Sequence, residues 1–318
     1  MIKRRDWVGT AVAALFVAAA VTGCASAGGG HPAAAGNGKP AVTPVPVTAT
    51  ATPSRPSDIA LPIAPYLFSD AQSSQLVAAH TKLVSACMKR YGFRYGVATA
   101  SASASASAGQ LPANESRYGV MTPDQARYGY HFMTVEIRRQ QAGAAPTQAP
   151  PKLTPEMAAV LSGRTTGPVN GRSVPEGGCN AEATAELGGR NGRYGNPDIA
   201  ESVQADSFTR SQSDPRVLKA FASWSACMRA GGYDYKDPNA ATNDRRWAAS
   251  AEPTRAEVAT AQADVACKRR TNLVGIWSSV ESAYQRAAIE LNAGPLRQAR
   301  AAMQQELKTA ATLLGSSQ

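Results

Sequence analysis

The 318-residue chain has no nucleophile elbow, no Ser-x-x-Lys pair, no His-Glu-x-x-His and no Walker loop. The commonest hydrolytic and nucleotide-binding chemistries therefore have no motif to rest on. Its only histidines are His31, His80 and His131, and its cysteines never stand as Cys-x-x-Cys. Without that spacing a zinc site has no ligand set, so neither a metal nor a cofactor site is expected. Beyond the first two dozen residues no apolar run approaches the roughly 20 residues of a membrane-spanning helix. Nor does any stretch alternate long enough to make a strand, apart from a weak pattern in residues 130–137 at His131, Met133, Val135 and Ile137.

What is present begins at the N-terminus. Lys3-Arg4-Arg5 precedes an apolar run from Val8 to Val21, which ends in Val21-Thr22-Gly23-Cys24. A basic start, an apolar stretch too short to span a bilayer and small residues before a cysteine read as a bacterial lipoprotein signal peptide over residues 1–23. Cys24 is then the acylated N-terminus of the mature chain, and the expected location is the extracytoplasmic face of the cell membrane. Arg4-Arg5 before Asp6 and Trp7 partly matches a twin-arginine signal, which leaves the export route open. Cleavage removes the cations Lys3, Arg4 and Arg5 and the anion Asp6, so the formal charge falls from +10 to about +8. In that compartment a basic surface attracts anionic lipid, anionic wall polymer or an envelope protein, and nucleic acid is not an expected partner. The plainer alternative is dispersed charge that serves solubility.

Residues 24–59 contain Gly28-Gly29-Gly30 and then Pro40, Pro44, Pro46, Pro53 and Pro56. Such a composition cannot bury enough apolar surface to order itself, so a flexible lipidated linker is expected there. A Ser/Ala tract at residues 98–108 reads as a second low-complexity loop. Between them helix starts are clearly marked: Ser69 with Gln72, Thr122-Pro123 with Gln125, Thr154-Pro155, Asn196-Pro197, Asp214-Pro215, and Thr254 with Glu257. From Thr254, apolar residues recur at Val258, Val265, Leu273, Ile276, Val280, Tyr284 and Leu291, which predicts one long amphipathic helix broken near Gly294-Pro295 and followed by a last helix over 296–314. The fold class is mainly α: a disulfide-linked helical domain behind an N-terminal tether, with one half at 60–196 and a second at 197–318.

Four cysteines remain after Cys24, an even number in an exported chain. Ser85-Ala86-Cys87-Met88-Lys89, followed by Gly92-Phe93-Arg94-Tyr95, is echoed by Ser225-Ala226-Cys227-Met228-Arg229, followed by Gly232-Tyr233-Asp234-Tyr235. Each copy has one later cysteine. The economical pairing is Cys87 with Cys179 and Cys227 with Cys267, with the two crossed pairings as alternatives.

Asn114-Glu115-Ser116-Arg117-Tyr118-Gly119, Ala126-Arg127-Tyr128-Gly129-Tyr130-His131, Val174-Pro175-Glu176-Gly177-Gly178-Cys179, Trp224-Ser225-Ala226-Cys227-Met228 and Ala263-Asp264-Val265-Ala266-Cys267-Lys268 with Asn272-Leu273-Val274 resemble exported lipoproteins of actinomycetes that carry no assigned activity. The resemblance covers residues 65–291. It implies that the four cysteines belong to the family's framework, and it brings no catalytic residue. The Ser/Ala tract and Gly294-Pro295 are local departures from it.

The tripeptide Arg-Tyr-Gly recurs at Arg90, Arg94, Arg117, Arg127 and Arg193. Arginine beside tyrosine can grip sugars or anionic polymers, but the expected role is tyrosine anchored in the core with arginine in water. Trp224, Tyr233, Tyr235, Trp247, Trp277 and Tyr284 at helical spacing read as core more than as a glycan groove. Gly189, Gly192 and Gly195 before Asn196-Pro197 could hold an anion at a helix start, yet they lack the rest of a phosphate loop. Lys268-Arg269-Arg270 is a modest basic patch. Two functions stand against each other: a non-catalytic binding module of the envelope, and a wall-modifying hydrolase whose carboxylates, such as Glu176 and Asp264, meet only in the fold.

Overall fold

A computed structural model describes residues 44, 46–47, 49–95, 113–131, 153–189 and 193–315. Cys24, the Ser/Ala tract and residues 132–137 of the weak alternation lie outside it. Among the described residues the chain is helical and has no strand; Val169 and Arg172 form an isolated antiparallel bridge. Tyr130 and His131, which open the weak alternation, belong to the 3-10 turn Gly129–His131.

The first long helix, α1, spans Asp70–Arg90. It starts where the sequence marks it: Gln72 N–H donates to Ser69 Oγ at 3.3 Å and Ser69 N–H to Gln72 Oε1 at 2.9 Å. It ends where Phe93 N–H reaches back to Met88 O at 3.1 Å across Gly92. Two short helices follow, α2 (Ala113–Tyr118) and α3 (Pro123–Ala126), the latter capped by Thr122 with Gln125. Next come α4 (Pro155–Ser162), capped by Thr154, and α5 (Gly178–Leu187). The second part of the chain holds α6 (Asp198–Gln212), α7 (Pro215–Ala230, capped by Asp214), the short α8 (Pro238–Thr242), α9 (Arg255–Arg270, capped by Thr254), α10 (Leu273–Leu291) and α11 (Ala293–Gly315).

Three helix boundaries differ from expectation, each for a local reason. Asn196 does not cap α6; Pro197 takes that position, and Asn196 Oδ1 instead accepts Phe68 N–H at 2.7 Å. The long helix expected from Thr254 is two, because Asn272 adopts the left-handed conformation at φ +48° and turns the chain between α9 and α10. The next break falls at Asn292, not at Gly294-Pro295. Pro295 sits in the first turn of α11, where its missing N–H forfeits no helical bond.

Cys87–Cys179 joins the end of α1 to the start of α5 with Cα atoms 5.6 Å apart, and Cys227–Cys267 joins α7 to α9 with Cα atoms 5.7 Å apart. This is the pairing that the Ser-Ala-Cys-Met echo favours. One core gathers around Trp224 and Trp277, another around Cys87, Met88 and Cys179. The described residues from 44 to 315 nevertheless form one compact unit, so 196/197 is not a boundary in space. Tyr118, Val120, Met121 and Tyr130 from the first half pack in the Trp224 core, while α11 from the second half packs along α1. The halves exchange elements.

The expected linker also ends earlier than residue 59. Val47 and Ile59 pack against the Trp224 core. Ala51 N–H donates to Ser279 Oγ at 3.3 Å, and Asn272 Nδ2 donates to Ala51 O at 2.9 Å. The approach is possible because residue 275 is glycine; a Cβ there would lie 1.9 Å from Ala51 O. Residues 49–59 are therefore a strap across the start of α10. Composition missed this because two backbone bonds and one absent side chain hold it, not apolar content.

Candidate functional site

Two features stand out from the packing: a set of buried charges beneath α2, α3 and the Gly129–His131 turn, and an open groove beside α11.

The charges hang on α9 and α10. Glu281, fully buried on α10, accepts Arg117 Nε at 2.9 Å, Tyr118 Oη at 2.8 Å and Gln285 Nε2 at 3.0 Å. Gln285 in turn accepts Ile63 N–H at 3.1 Å. On α9, Asp264 accepts Trp224 Nε1 at 2.9 Å and, from one turn further along, Lys268 Nζ at 3.0 Å. Lys268, itself 3% exposed, donates its other protons to Tyr118 O and Val120 O, both at 2.9 Å. At the start of α9, Glu257 Oε1 accepts the backbone N–H of Tyr130 at 2.7 Å and of His131 at 3.1 Å, and meets His131 Nδ1 at 2.7 Å. His131 Nε2 lies 3.0 Å from Ser250 O, so both ring nitrogens face acceptors. Residue 129 must be glycine here, since its φ is +55° and a Cβ would fall 2.5 Å from Glu257 Oε1.

Burial pushes the Asp264 carboxyl up, with Lys268 opposing the rise. Burial also pushes Tyr118 well above the usual phenol range, and the Glu281 charge adds to it. Chemically this array does not face substrate: Asp264, Glu257 and Glu281 are all at 0% exposure. Its effect is to pin residues 117–131, which contain little helix of their own, onto α9 and α10.

The residues singled out in sequence fall into place around it. Lys268, Arg269 and Arg270 do not form one patch, because Lys268 is in the core while its two neighbours are exposed. Of the Arg-Tyr-Gly arginines, Arg90 pairs with Glu182, Arg127 with Asp124 at 3.3 Å and Arg193 with Asp198 at 2.9 Å, while the half-buried Arg117 pairs with Glu281 at 2.7 Å and lies over the Phe208 ring. Tyr91 and Tyr118 are buried, as an anchoring role requires. Trp224, Tyr235, Trp247 and Trp277 are core, with Trp277 edge-on to Tyr118 and Phe221 and stacked on Phe208. Gly195 N–H donates to the buried Glu306 at 3.2 Å, which sets a carboxylate where an anion would bind. Gly192 lies outside the described residues. His80 stacks on Tyr194 with centroids 4.5 Å apart, and burial pushes its imidazole down. Glu176 is exposed on a loop, while Asp264 is sealed, so the two do not form an open acid–base pair.

The groove has a volume of about 980 Å³, at the upper end of the range for small-molecule sites. The strap and its continuation supply Ile59, Leu61, Ile63, Leu67 and Phe68; α11 supplies Met303 and Leu307; Gln204 comes from α6. Asn114 holds the strap's 3-10 turn in place by donating to Pro56 O at 3.0 Å and Ile59 O at 2.8 Å. Among the described residues Arg55, Arg300 and Asp70 are its charged lining, and no described histidine, cysteine, lysine or tyrosine lines it. An apolar floor with amides at the edge suits binding. Sequence reading passed over this site because its wall is assembled from segments far apart in the chain, and its first residues, Arg55, Pro56, Ser57 and Ile59, lie in the stretch assigned to the linker. The available signal was the apolar cluster Ile59, Leu61, Ile63, Leu67 and Phe68 directly after the prolines. Compared with protein families, curated proteins and solved structures, the chain has no match.

Proposed function

We propose that this protein is a lipid-anchored module of the outer face of a bacterial membrane, tethered through Cys24, whose helical body binds an envelope component without transforming it. The ligand is an envelope protein or an anionic wall polymer. The observation that carries the binding role is the 980 Å³ groove, apolar on its floor and lined, among the described residues, by one carboxylate. The sealed state of Asp264, Glu257 and Glu281 weighs against a hydrolase built on them. The anchor rests on Lys3-Arg4-Arg5, the apolar run and Cys24.

The test compares capture of solubilised envelope material by the wild-type protein and by Met303→Trp, which fills the groove from α11. Capture that falls at least tenfold in the variant, with helical content unchanged, supports the reading. Equal capture by both proteins, or none by either, refutes it.

A further inference from the structure

The strap fixes where the chain from Cys24 meets the folded body: at the corner where α9 ends and α10 begins, with Ala51 bonded to Asn272 and Ser279. That corner is basic. Arg269 and Arg270 are exposed at the end of α9, and the Cys227–Cys267 bridge, with Cα atoms 5.7 Å apart, ties to it the end of α7, where Arg229 is exposed. None of these three arginines makes an ion pair among the described residues; Arg229 Nη2 donates only to Ser225 Oγ, at 3.3 Å. No Asp or Glu occurs between Asp264 and Glu281, and none between Cys24 and Asp58. The approach from anchor to corner thus carries no carboxylate that an anionic surface would repel.

We infer that Arg229, Arg269 and Arg270 form the face that the body turns toward anionic lipid head groups. The inference rests on the anchored reading given above. The 23 residue-to-residue steps from Cys24 to Val47 could reach up to roughly 80 Å if fully extended, at ~3.3–3.6 Å per residue. The anchor alone therefore leaves the body free to stand well away from the bilayer. Attraction between three unpaired guanidiniums and anionic phosphates acts over about one Debye length, ~8 Å at physiological salt, and draws this corner down to the head groups. The body would then lie with the α9–α10 corner on the membrane, not swing at the end of its tether.

Neutron reflectometry of the mature lipidated protein tests this on supported bilayers of zwitterionic phosphatidylcholine and of phosphatidylcholine with phosphatidylglycerol. On the anionic bilayer the water gap between head groups and protein is expected to be under ~10 Å, widening severalfold in 0.5 M salt, where the Debye length is only a few ångströms. The triple variant Arg229→Gln/Arg269→Gln/Arg270→Gln should show the wide gap at all salt concentrations. Arg286→Gln/Arg297→Gln, which removes two exposed arginines of α10 and α11, should behave as wild type. A wild-type layer with the same gap on both bilayers overturns the inference and leaves the anchored reading intact, as does an equal widening in the α10/α11 control. Loss of the protein layer on washing overturns the anchored reading and the inference together.

Discussion

Replacing Lys268 by methionine separates two accounts of the Lys268-Arg269-Arg270 run. The ammonium is 3% exposed and bonds Asp264, Tyr118 O and Val120 O at 3.0, 2.9 and 2.9 Å. Methionine keeps most of the volume and removes the charge, so Asp264 is left buried with Trp224 and the distant Tyr130 hydroxyl as its donors. Breaking a buried pair from one side costs about 3–5 kcal/mol, a large part of the ~5–15 kcal/mol that holds a typical domain. With a urea m-value near ~3 kcal/mol/M, the midpoint should fall by roughly 1–1.7 M. Arg269→Met, one residue away on an exposed position, should stay within ~0.5 kcal/mol of wild type. The pH dependence has a definite sign. Burial already raises the Asp264 carboxyl, and losing Lys268 raises it further, so the folded variant binds a proton more tightly than the unfolded chain. Its stability therefore falls as pH rises above the ordinary carboxylate value near ~4, and its deficit against wild type is smallest in acid. Urea unfolding of both variants at pH 4.5 and 7.5 decides the matter. A Lys268→Met cost equal to that of Arg269→Met, or a deficit that does not grow with pH, refutes the reasoning.

Other perturbations follow from the same contacts. Gly275→Ala gains helix propensity of about 1 kcal/mol but places a methyl 1.9 Å from Ala51 O, so hydrogen exchange should show the Ala51 amide losing protection while global stability changes little; unchanged protection at Ala51 would argue against the strap. A single cut inside α6 of the unreduced, denatured chain should release two separate fragments, because each disulfide stays on its own side of Asp198–Gln212; fragments that remain joined would mean a crossed pairing. Burial lowers the His80 imidazole, so below the ordinary value of ~6.5 the unfolded chain binds the extra proton more readily and stability falls on acidification. The drop in unfolding free energy from pH 7.5 to 5.5 should accordingly be smaller in His80→Phe than in wild type, and an identical drop would count against a buried neutral ring.

Capping was legible because it is local. Ser69, Thr122, Thr154, Asp214 and Thr254 bond backbone groups two or three residues away, so the signal lies within a few positions of the sequence. The break at Asn272 was not legible from periodicity, since the apolar stripe runs on from Val265 to Leu273 and Ile276 across it. What turns the chain there is a left-handed asparagine whose side chain holds Ala51, more than two hundred residues away in sequence. Glu257 shows the same limit. Its spacing from Thr254 reads as a capping box, and Thr254 does accept Glu257 N–H, yet the carboxylate turns inward to Tyr130 and His131. The i,i+4 spacing of Asp264 and Lys268 was the one sequence sign of a charge pair in the core, visible only to a reader who places both on the buried face. The groove needed the fold itself, because its walls come from the strap, α6 and α11.

Both the binding role and the basic corner depend on how the chain is held, and intact mass spectrometry of the protein from washed membranes tests that most directly. The account predicts a mature chain that begins at Cys24 and carries diacylglyceryl on its sulfur, and a Cys24→Ala variant that accumulates unprocessed or leaves the membrane fraction. A chain that still begins at Met1, or an unmodified Cys24 recovered in the soluble fraction, would contradict it.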